Sequence, residues 1–400
     1  MTDPLILREV KLRYFKAAFK PDPVALDAFN VVIGRNGSGK STMLEALQWL
    51  DTSLRRDARE ASERYYGVRD LLNLRSQSKK PHFVLSLKFG AETGLPEWSY
   101  RLQVEERDGL PVVTEEELET LNSSGNRTRR FITMGDGTVR LLGVNPKAGD
   151  PGVFSSREPD RLALSKVGDI DAPDHTDGLG ALQAFWERAV FLRLSPNRLA
   201  AGSPAKRRSF EPILDEEGQT LPALLNELND DQREELVDAI RTILPGFHGV
   251  SVSRSASGRD TRVNYSLLEQ MPHRGRSGRK RFPIPAWMLS EGTRRITAIL
   301  ALLVREPAPT LLCIEEIENG LDPWTVRHVL RHLRSAADRG VQVVLTTHSP
   351  WLLDDVPMES IIQVRRVDGD TRYERFIDRP EIQAYAPNVP AGTRYVNEIQ

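Results

Sequence analysis

The clearest chemical pattern in the chain is the glycine-rich stretch VVIGRNGSGKST. Its glycines, lysine and serine fit the spacing G-x-x-x-x-G-K-[ST], between an apolar strand pattern and an amphipathic helix pattern. Glycines let backbone N–H groups surround phosphate oxygens, and the start of a helix adds partial positive charge. A chance glycine-rich turn is the alternative, and the flanking strand and helix patterns argue against it. We therefore predict a phosphate-binding loop made of Gly34, Arg35, Asn36, Gly37, Ser38, Gly39, Lys40, Ser41 and Thr42.

Two of these residues have specific predicted tasks. The ammonium group of Lys40 would reach the outer phosphates, and the hydroxyl of Ser41 would be a ligand of Mg²⁺.

An acidic pattern lies in TLLCIEEIENGLDP, residues 310–323. Glu315 and Glu316 directly follow four apolar residues, which is typical of a buried parallel strand. Ligands of open α/β sheets bind at the carboxyl ends of such strands. We predict that Glu315 holds Mg²⁺ through water and that Glu316 polarises the attacking water. Taken alone, the segment is better explained as an acidic turn between a strand and a loop; the presence of the phosphate loop in the same chain favours the catalytic interpretation.

Two further stretches place polar residues at element ends. His348, in VQVVLTTHSP, follows another apolar strand pattern and could hydrogen-bond a γ-phosphate or the attacking water; a structural histidine is the alternative. In LSEGTRRITAILALL, residues 289–303, Ser290 precedes a helix pattern. Taken by itself, Ser290 is best explained as an ordinary N-cap that bonds Thr293.

The order of these motifs resembles that of the ABC-type ATPases. It runs phosphate loop, LSEG, apolar strand with two acids, NGLDP and TTHS. Within that class the chain looks most like the compact bacterial AAA-family branch, which is similar to the ATPase part of OLD proteins and to SMC heads. The resemblance is good over residues 1–50 and 280–355 and loose in between.

The resemblance implies an α/β fold of the P-loop NTPase class, an ABC-type head with a mixed central sheet, flanking helices and a large α+β insertion. It implies ATP and Mg²⁺ as ligands. It also implies a homodimer or higher even oligomer, in which Ser290 and the backbone of Gly292 cap the γ-phosphate held by a second copy. Residues 319–322 would then cross the dimer interface.

Some positions depart from the ABC pattern. Glu315 stands where ABC proteins usually have Asp, and Thr293 where they usually have Gln. Gln77 is a weak candidate for the usual glutamine loop. Arg13 and Phe15 occupy the strand from which adenine contacts are expected.

We predict three segments from the order of the patterns. Residues 1–56 form the N-terminal part of the head with the phosphate loop. Residues 57–280 contribute further strands of the head and an inserted lid or regulatory region. Residues 281–400 return to alternating strands and helices and complete the head.

Periodic patterns predict individual elements. Alternating apolar and polar residues predict strands at 82–90 and 98–109, and three segments look like hairpins: RRFITMGDGTVRLLG, GVSVSRS with TRVNYSLL, and IIQVRRVDGDTRYERF at 361–376. Apolar residues at helical spacing predict a helix from Ser41 to about Arg56 and two short helices within 221–247. A later helix pattern has a stripe predicted to be buried, made of Val326, Val329, Leu330 and Leu333.

Composition limits the class of protein further. The chain has 400 residues, a net charge of −1 and a single cysteine, Cys313. The net charge argues neither for nor against nucleic acid. One cysteine excludes an internal disulfide framework and a cysteine-cluster zinc site. The charged N-terminus and the lack of a long apolar run predict a cytoplasmic protein without membrane contact.

Basic clusters are the remaining feature. They are RTRR (127–130), AKRR (205–208) and RGRSGRK (274–280), each in a stretch that looks like a loop. Singly each is best explained as a solvated loop; together they could bind DNA phosphates. No aromatic residues are interleaved to stack on bases. His328 and His332, four residues apart on a helix pattern, are predicted to be surface residues.

The sequence therefore predicts an ATP-hydrolysing molecular switch. Its resemblance suggests control of a partner effector, such as a nuclease, in phage defence or DNA maintenance. The alternative is an ATP-gated scaffold with slow turnover that restrains a toxic effector without acting on DNA. A transport ATPase fits poorly, because the chain has a large insertion that contains β-strand patterns and nothing in the sequence signals docking to a membrane.

Overall fold

The structure is a computed structural model that describes residues 5–90, 97–121, 127–133, 138–141, 153–155, 158–165, 176–205, 211–257, 260–271 and 281–399. The chain forms two compact units. Unit 1 comprises Met1–Glu187, Pro357–Val389 and Arg394–Gln400, and unit 2 comprises Arg188–Val356 and Pro390–Thr393.

The strands, numbered in chain order, are β1 (Ile6–Arg13), β2 (Val24–Ala25), β3 (Phe29–Gly34), β4 (His82–Gly90), β5 (Glu97–Arg107), β6 (Leu110–Leu121), β7 (Arg127–Thr133), β8 (Thr138–Leu141), β9 (Val153–Ser155), β10 (Val190–Leu192), β11 (Ser203–Pro204), β12 (Phe247–Ser257), β13 (Asp260–Gln270), β14 (Arg281–Pro285), β15 (Leu311–Ile314), β16 (Gln342–Thr347), β17 (Ile361–Val367) and β18 (Asp370–Arg375). The α-helices are α1 (Lys40–Arg55), α2 (Ala58–Glu63), α3 (Thr176–Glu187), α4 (Pro196–Leu199), α5 (Leu221–Glu227), α6 (Asp230–Ile243), α7 (Glu291–Val304), α8 (Pro323–Asp338), α9 (Pro380–Gln383) and α10 (Ala391–Ile399). Short 3₁₀ turns include Ala286–Met288 and Pro350–Asp355.

Unit 1 contains an antiparallel sheet in the order β2-β1-β4-β5-β6-β7-β8-β9. The alternating patterns predicted as strands at 82–90 and 98–109 form β4 and β5, which pair along their length. β5 ends at Arg107 because Asp108 and Gly109 turn the chain with positive φ angles of 52° and 82°. The hairpin predicted from RRFITMGDGTVRLLG is confirmed as the antiparallel pair β7 and β8.

The phosphate-loop part of unit 1 is built on β3, α1 and the β17–β18 hairpin. Every residue of β3 is buried, as its apolar pattern predicts for a strand covered on both faces. β17 runs parallel to β3, with Val364 opposite Gly34, and pairs antiparallel with β18. The predicted hairpin at 361–376 is therefore confirmed. Helix α1 starts at Lys40, one residue before the predicted start.

Unit 2 contains the parallel strands β10, β15 and β16, with β15 in the middle. The predicted alternation of strands and helices after residue 281 is confirmed by β14, α7, β15, α8 and β16. Helix α7 is buried from Thr293 to Val304, because its apolar residues cover more than one face. The apolar stripe predicted on α8 is buried at Val326, Val329, Leu330 and Leu333.

A second, smaller sheet of unit 2 has the order β11-β13-β12, with β14 on β13. The hairpin predicted from GVSVSRS and TRVNYSLL is confirmed as β12 and β13. The two short helices predicted between residues 221 and 247 are α5 and α6. Asn229 starts α6 with a capping box. The side chain of Asn229 accepts the backbone N–H of Gln232, and the side chain of Gln232 accepts the backbone N–H of Asn229.

In the part of the chain that the structure describes, no helix is long and apolar enough to cross a bilayer. The lone Cys313 is buried in β15.

Candidate nucleotide-binding and catalytic residues

The phosphate loop joins β3 to α1, as predicted, and two of its glycines are required by their neighbours. Gly39 has φ 105°, and an added Cβ there would lie 2.5 Å from the hydroxyl oxygen of Thr371. A Cβ on Gly34 would run into the carbonyl oxygen of Val364 and lie 2.7 Å from the Ser38 hydroxyl. The β17–β18 hairpin therefore packs against the loop so closely that larger residues are excluded.

Lys40 lies where the predicted chemistry needs it. Its side chain is buried, and its ammonium group donates to the carbonyl oxygens of Gly34 at 2.7 Å and Arg35 at 3.0 Å. A cation held over the loop in this way can exchange carbonyl oxygens for phosphate oxygens, which bind it more strongly. The loop is further fixed by Tyr373, whose hydroxyl donates to the carbonyl of Gly39 at 3.0 Å.

These residues fit a triphosphate and its Mg²⁺. Ser38 is buried and its hydroxyl has no partner among the described residues, so a polar acceptor or donor is missing at the loop. Ser41 and Thr42 follow Lys40 in the first turn of α1, whose N-terminal N–H groups favour anions. Ser41 would contribute its hydroxyl to the metal, which would neutralise phosphate charge.

A cavity of about 550 Å³ lies beside the phosphate loop in unit 1. It is lined by Arg35, Asn36, Gly37 and Ser38 on one side, and by the end of β17 and α10 on the other. Burial raises the pKa of Tyr395 in α10, the charge of Glu398 raises it further, and Arg35 partly opposes both effects.

The acidic pair follows β15 in unit 2, as predicted. The backbone N–H of Glu315 donates to the carbonyl of Leu192 at 2.8 Å, which continues the ladder with β10. Glu316 then adopts φ 50°, a left-handed conformation that is costly for a residue with a side chain. Its N–H is held by the hydroxyl of Thr346 at 2.9 Å. Strain of this kind, fixed by neighbours, is often found at functional sites.

The carboxylate of Glu316 has two side-chain partners in unit 2. One oxygen lies 3.4 Å from Nε2 of His348, and the other accepts a short hydrogen bond from the amide of Asn319. The structure thus brings Glu316 and His348 together, and both side chains stay partly exposed, at 40% and 38%. A carboxylate oriented in this way can accept a proton from a water molecule.

Glu318 and Asn319 are residues whose roles the sequence analysis missed. Glu318 accepts the backbone N–H of His348 at 2.6 Å, and its other carboxylate oxygen is buried without a partner in the described part of the chain. Glu318 therefore positions the histidine, and Asn319 orients Glu316. The residues Glu318 and Asn319, which follow the paired acids after one apolar residue, were the signal that could have found them.

The LSEG turn caps α7. Ser290 accepts the N–H of Thr293 at 3.1 Å and its hydroxyl also lies 2.8 Å from that of Thr293, as the simpler explanation expected. Ser290 is nevertheless exposed to solvent. Gly292 packs against the loop at 319–322, where a Cβ would lie 2.7 Å from the carbonyl oxygen of Gly320. Capping of a phosphate of a second copy stays a prediction.

The expectation for Phe15 is wrong. Phe15 cannot contact adenine, because its ring is fully buried and packs edge-on against Phe83 at 5.2 Å. His328 and His332, predicted to be surface residues, are partly exposed and lie outside the buried stripe of α8. The ring of His328 lies 4.2 Å from that of Trp324, and burial, followed by the charges of His328 and Arg339, lowers the pKa of His332.

The basic clusters lie largely outside the described residues. The backbone of RTRR belongs to β7, so the expectation of a loop there is wrong, while its side chains are outside the described part. AKRR beyond Ala205 and all of RGRSGRK are likewise outside it. In the ranges that are described, no cluster of three or more His, Cys, Asp or Glu residues could hold a metal.

Comparisons with known proteins identify the fold and the family. In fold, the chain is similar to the SMC head bound to the C-terminal winged-helix domain of ScpA, with 15% identity, a TM-score of 0.54, and 92% of this chain and 96% of that one covered. It is also similar to the SMC head with an extended coiled coil bound to the C-terminal domain of ScpA from Pyrococcus furiosus, with 12% identity, a TM-score of 0.53 and the same coverage, 92% and 96%. The functionally curated proteins include no significant match.

These likenesses show the fold, and they confirm the predicted α/β P-loop fold with an SMC-like, ABC-type head. One family profile matches residues 29–142 and 182–354, which is well over half of the chain; its description reads "AAA domain, putative AbiEii toxin, Type IV TA system". The chain therefore belongs to this AAA-domain family and has the fold of an SMC-like P-loop head.

Proposed function

We propose that this chain binds and hydrolyses ATP and uses the nucleotide state as a molecular switch. The observation that carries the proposal is the arrangement at Glu316, where a strained backbone holds a carboxylate between the side chains of His348 and Asn319. The carboxylate lies beside an imidazole and stays partly exposed, which suits a group that takes a proton from water.

Phosphate binding is assigned to unit 1. Lys40 and the backbone N–H groups of the loop from Gly34 to Thr42 hold the β- and γ-phosphates. Ser41 contributes its hydroxyl to Mg²⁺, which supplies charge neutralisation when bound. Glu315 keeps the role predicted from the sequence, a ligand of Mg²⁺ through water. The support for this assignment is the loop geometry, the buried ammonium group of Lys40 and the unpartnered hydroxyl of Ser38.

Water activation is assigned to unit 2. Glu316 accepts a proton from the attacking water, while His348 hydrogen-bonds the γ-phosphate or that water and so senses the nucleotide. Glu318 keeps His348 in place through its backbone N–H, and Asn319 keeps Glu316 turned toward His348.

The second copy supplies the remaining groups. Ser290 and the backbone of Gly292 cap the γ-phosphate of the other subunit in a homodimer, and hydrolysis separates the two copies. Exposure of Ser290 and the contact of its turn with the 319–322 loop are compatible with such an interface. Acting in the cytoplasm, the switch would control a protein effector such as a nuclease or toxin, in phage defence or DNA maintenance. The description of the family as linked to a toxin system favours an effector of that kind.

The test is the substitution Glu316→Gln, which keeps the shape of the side chain and removes its ability to take a proton. ATP hydrolysis should fall by about 100-fold or more, while ATP binding remains. With ATP, light scattering should show a stable dimer. Glu306→Gln, an exposed glutamate of unit 2, is the matched control and should hydrolyse normally.

Normal turnover by Glu316→Gln would remove this residue from the catalytic role. Turnover of the unaltered protein, measured with and without DNA, separates the hydrolysing switch from the slow-turnover scaffold that restrains an effector.

A further inference from the structure

Unit 1 has a second polar cavity, of about 690 Å³, that no residue of the phosphate loop lines. Its floor is formed by cross-strand neighbours on β1, β4 and β5, because Arg13 pairs with Val84 and Val84 pairs with Gln103. Its wall is the segment from Arg75 to Ser78, and Tyr14 and Phe19 lie at its rim. The cavity is thus a trough between a sheet face and a loop.

The trough is strongly cationic. Arg13, Arg75 and Arg101 line it, and no carboxylate does. Arg101 pairs with Glu115 at 3.2 Å, but within the described residues Arg13 and Arg75 form no ion pair. Burial opposes ionisation of Tyr14, yet the hydrogen bonds and charges of Arg13 and Lys20 lower its pKa below the usual value. A phenol in these surroundings shows that an anion would be stabilised here.

The cations are arranged over aromatic rings. The guanidinium of Arg13 lies 4.9 Å from the ring centre of Tyr14, and that of Arg75 lies 5.0 Å from that of Phe19. The two rings meet edge to face at 5.3 Å. Nη2 of Arg13 also donates to the hydroxyl of Tyr14 at 3.1 Å. The remaining N–H groups of an arginine can bind phosphate oxygens, and its planar guanidinium can stack on a base.

The turn that carries these rings is held rigid. Tyr14 and Lys16 both have positive φ angles, of 59° and 45°. The side chain of Asn73 donates to the carbonyl of Lys16 at 2.6 Å, and its N–H donates to that of Tyr14 at 2.9 Å. Asp370 accepts the N–H groups of Phe19 and Lys20 at 2.7 and 2.8 Å. A strained turn fixed from two sides is a preorganised site.

We propose that this trough, which we call the Arg13–Arg75 trough, binds a nucleotide unit of a single-stranded nucleic acid. A base stacks on the guanidinium of Arg13 or Arg75, and the flanking phosphates bind the arginine N–H groups. A duplex fits the trough poorly, because paired bases stay stacked on each other and only phosphates reach the arginines. The site is independent of the phosphate loop and differs from the basic clusters at 127–130, 205–208 and 274–280.

The test is fluorescence anisotropy of a labelled single strand of about 16 nucleotides, with the full chain and the double variant Arg13→Ala, Arg75→Ala. Binding should weaken by about tenfold or more. The slope of log affinity against log salt should fall by about 1.4, since each lost phosphate contact contributes about 0.7. The matched control is Arg59→Ala, Arg69→Ala, two exposed arginines of unit 1 with carboxylate partners outside the trough, and its affinity should stay within about twofold.

A second variant separates charge from stacking. Arg13→Lys, Arg75→Lys keeps both charges and loses both planes, so it should keep the salt slope and bind an abasic strand as the unaltered protein does. It should lose the preference for a strand with bases. Equal loss on both strands would overturn the stacking assignment.

Two other results would also overturn the proposal: no binding of the strand by the unaltered chain, or equal binding by the double alanine variant. A third result is that the double alanine variant loses affinity for a fluorescent ATP analogue and keeps its affinity for the single strand. It would overturn the proposal and show instead that the trough binds the base of the ATP that is hydrolysed. Lys40→Ala should bind the single strand as the unaltered chain does, because Lys40 does not line the trough. Strand binding and ATP hydrolysis can therefore fail independently of each other.

Discussion

At the scale of single residues, a buried carboxylate in unit 1 holds neighbouring segments in place through hydrogen bonds. Glu116 in β6 is fully buried, and its carboxylate accepts the hydroxyl of Tyr100 and the N–H groups of Ala163 and Leu164. It therefore anchors the segment 158–165 to the antiparallel sheet. Burial raises the pKa of Glu116 to about 7, although the hydrogen bonds from Leu164, Ala163 and Tyr100 oppose the increase.

This burial predicts a pH dependence of stability. The unfolded chain loses the proton near the usual value of 4.5 and the folded chain near 7, so the free energy of unfolding should fall as the pH rises between these values. The contribution is on the order of 3 kcal/mol. Glu116→Gln cannot ionise, so the difference in unfolding free energy between it and the unaltered chain should change between pH 5 and pH 8, as measured by urea titration.

The substitution also costs one acceptor for the N–H of Ala163, which lowers stability equally at both pH values. Glu97→Gln, an exposed glutamate of β5, should show no such change with pH. A constant difference between Glu116→Gln and the unaltered chain would show that Glu116 ionises normally.

At the scale of elements, the LSEG turn and the 319–322 loop are built to touch. Gly292 faces the carbonyl oxygen of Gly320, and Gly320 has φ 69° with the side chain of Glu291 directly beside it. Glu291 also binds Arg295 at 3.1 Å, and Arg295 donates to the carbonyl of Leu194 at 2.8 Å. The start of α7 is thus fixed on both sides by loops at strand ends.

Gly292→Ala should separate these two loops. The added methyl group must displace the backbone at Gly320, which should cost about 1–3 kcal/mol of stability. ATP hydrolysis should fall because the loop that follows Glu316 is displaced, while ATP binding, assigned to unit 1, should remain. Thermal unfolding, turnover and nucleotide titration measure the three effects.

The comparison variant is Gly180→Ala in α3, where an added Cβ meets nothing within 4 Å. Its stability should rise by about 0.5–1 kcal/mol, as expected for alanine in place of glycine in a helix, with turnover unchanged. If Gly292→Ala leaves turnover unchanged, as Gly180→Ala should, the contact between the LSEG turn and the 319–322 loop is not needed for ATP hydrolysis.

At the scale of the whole molecule, unit 1 is assembled from both ends of the sequence. β3, near the start, pairs with β17, near the end, and Thr371 in β18 lies against Gly39. The phosphate loop is therefore formed only when the C-terminal hairpin has folded onto the N-terminal segment. Nucleotide bound to the loop should stabilise this closure by mass action.

This predicts that Mg²⁺ and ATP raise the melting temperature of the unaltered chain. At about 100 times the dissociation constant the gain is about 2.7 kcal/mol, or a shift of a few degrees. Lys40→Ala should show no shift, because the ammonium group that binds the phosphates is gone, whereas Lys11→Ala, an exposed lysine of β1, should shift like the unaltered chain. If the melting temperature of Lys40→Ala rises as much as that of the unaltered chain, ATP binds at a site other than the phosphate loop.

The sequence by itself determined the features that depend on local spacing. The glycine loop, the acids after β15, His348 and the start of α7 at Ser290 each lie in a strand-to-helix or strand-to-loop pattern that neighbouring residues specify. The alternation of apolar and polar residues likewise predicted β4, β5 and the hairpins, since one face of each strand must be buried.

Only the tertiary structure decided what depends on residues far apart in the chain. It set Glu316 against His348, gave Glu318 and Asn319 their partners, and placed Phe15 in the core. It also gathered Arg13, Tyr14, Phe19 and Arg75 around one trough. Periodicity reports which face of an element is buried but not what covers it, because contacts between distant segments follow from strand pairing and packing that no local window of sequence contains.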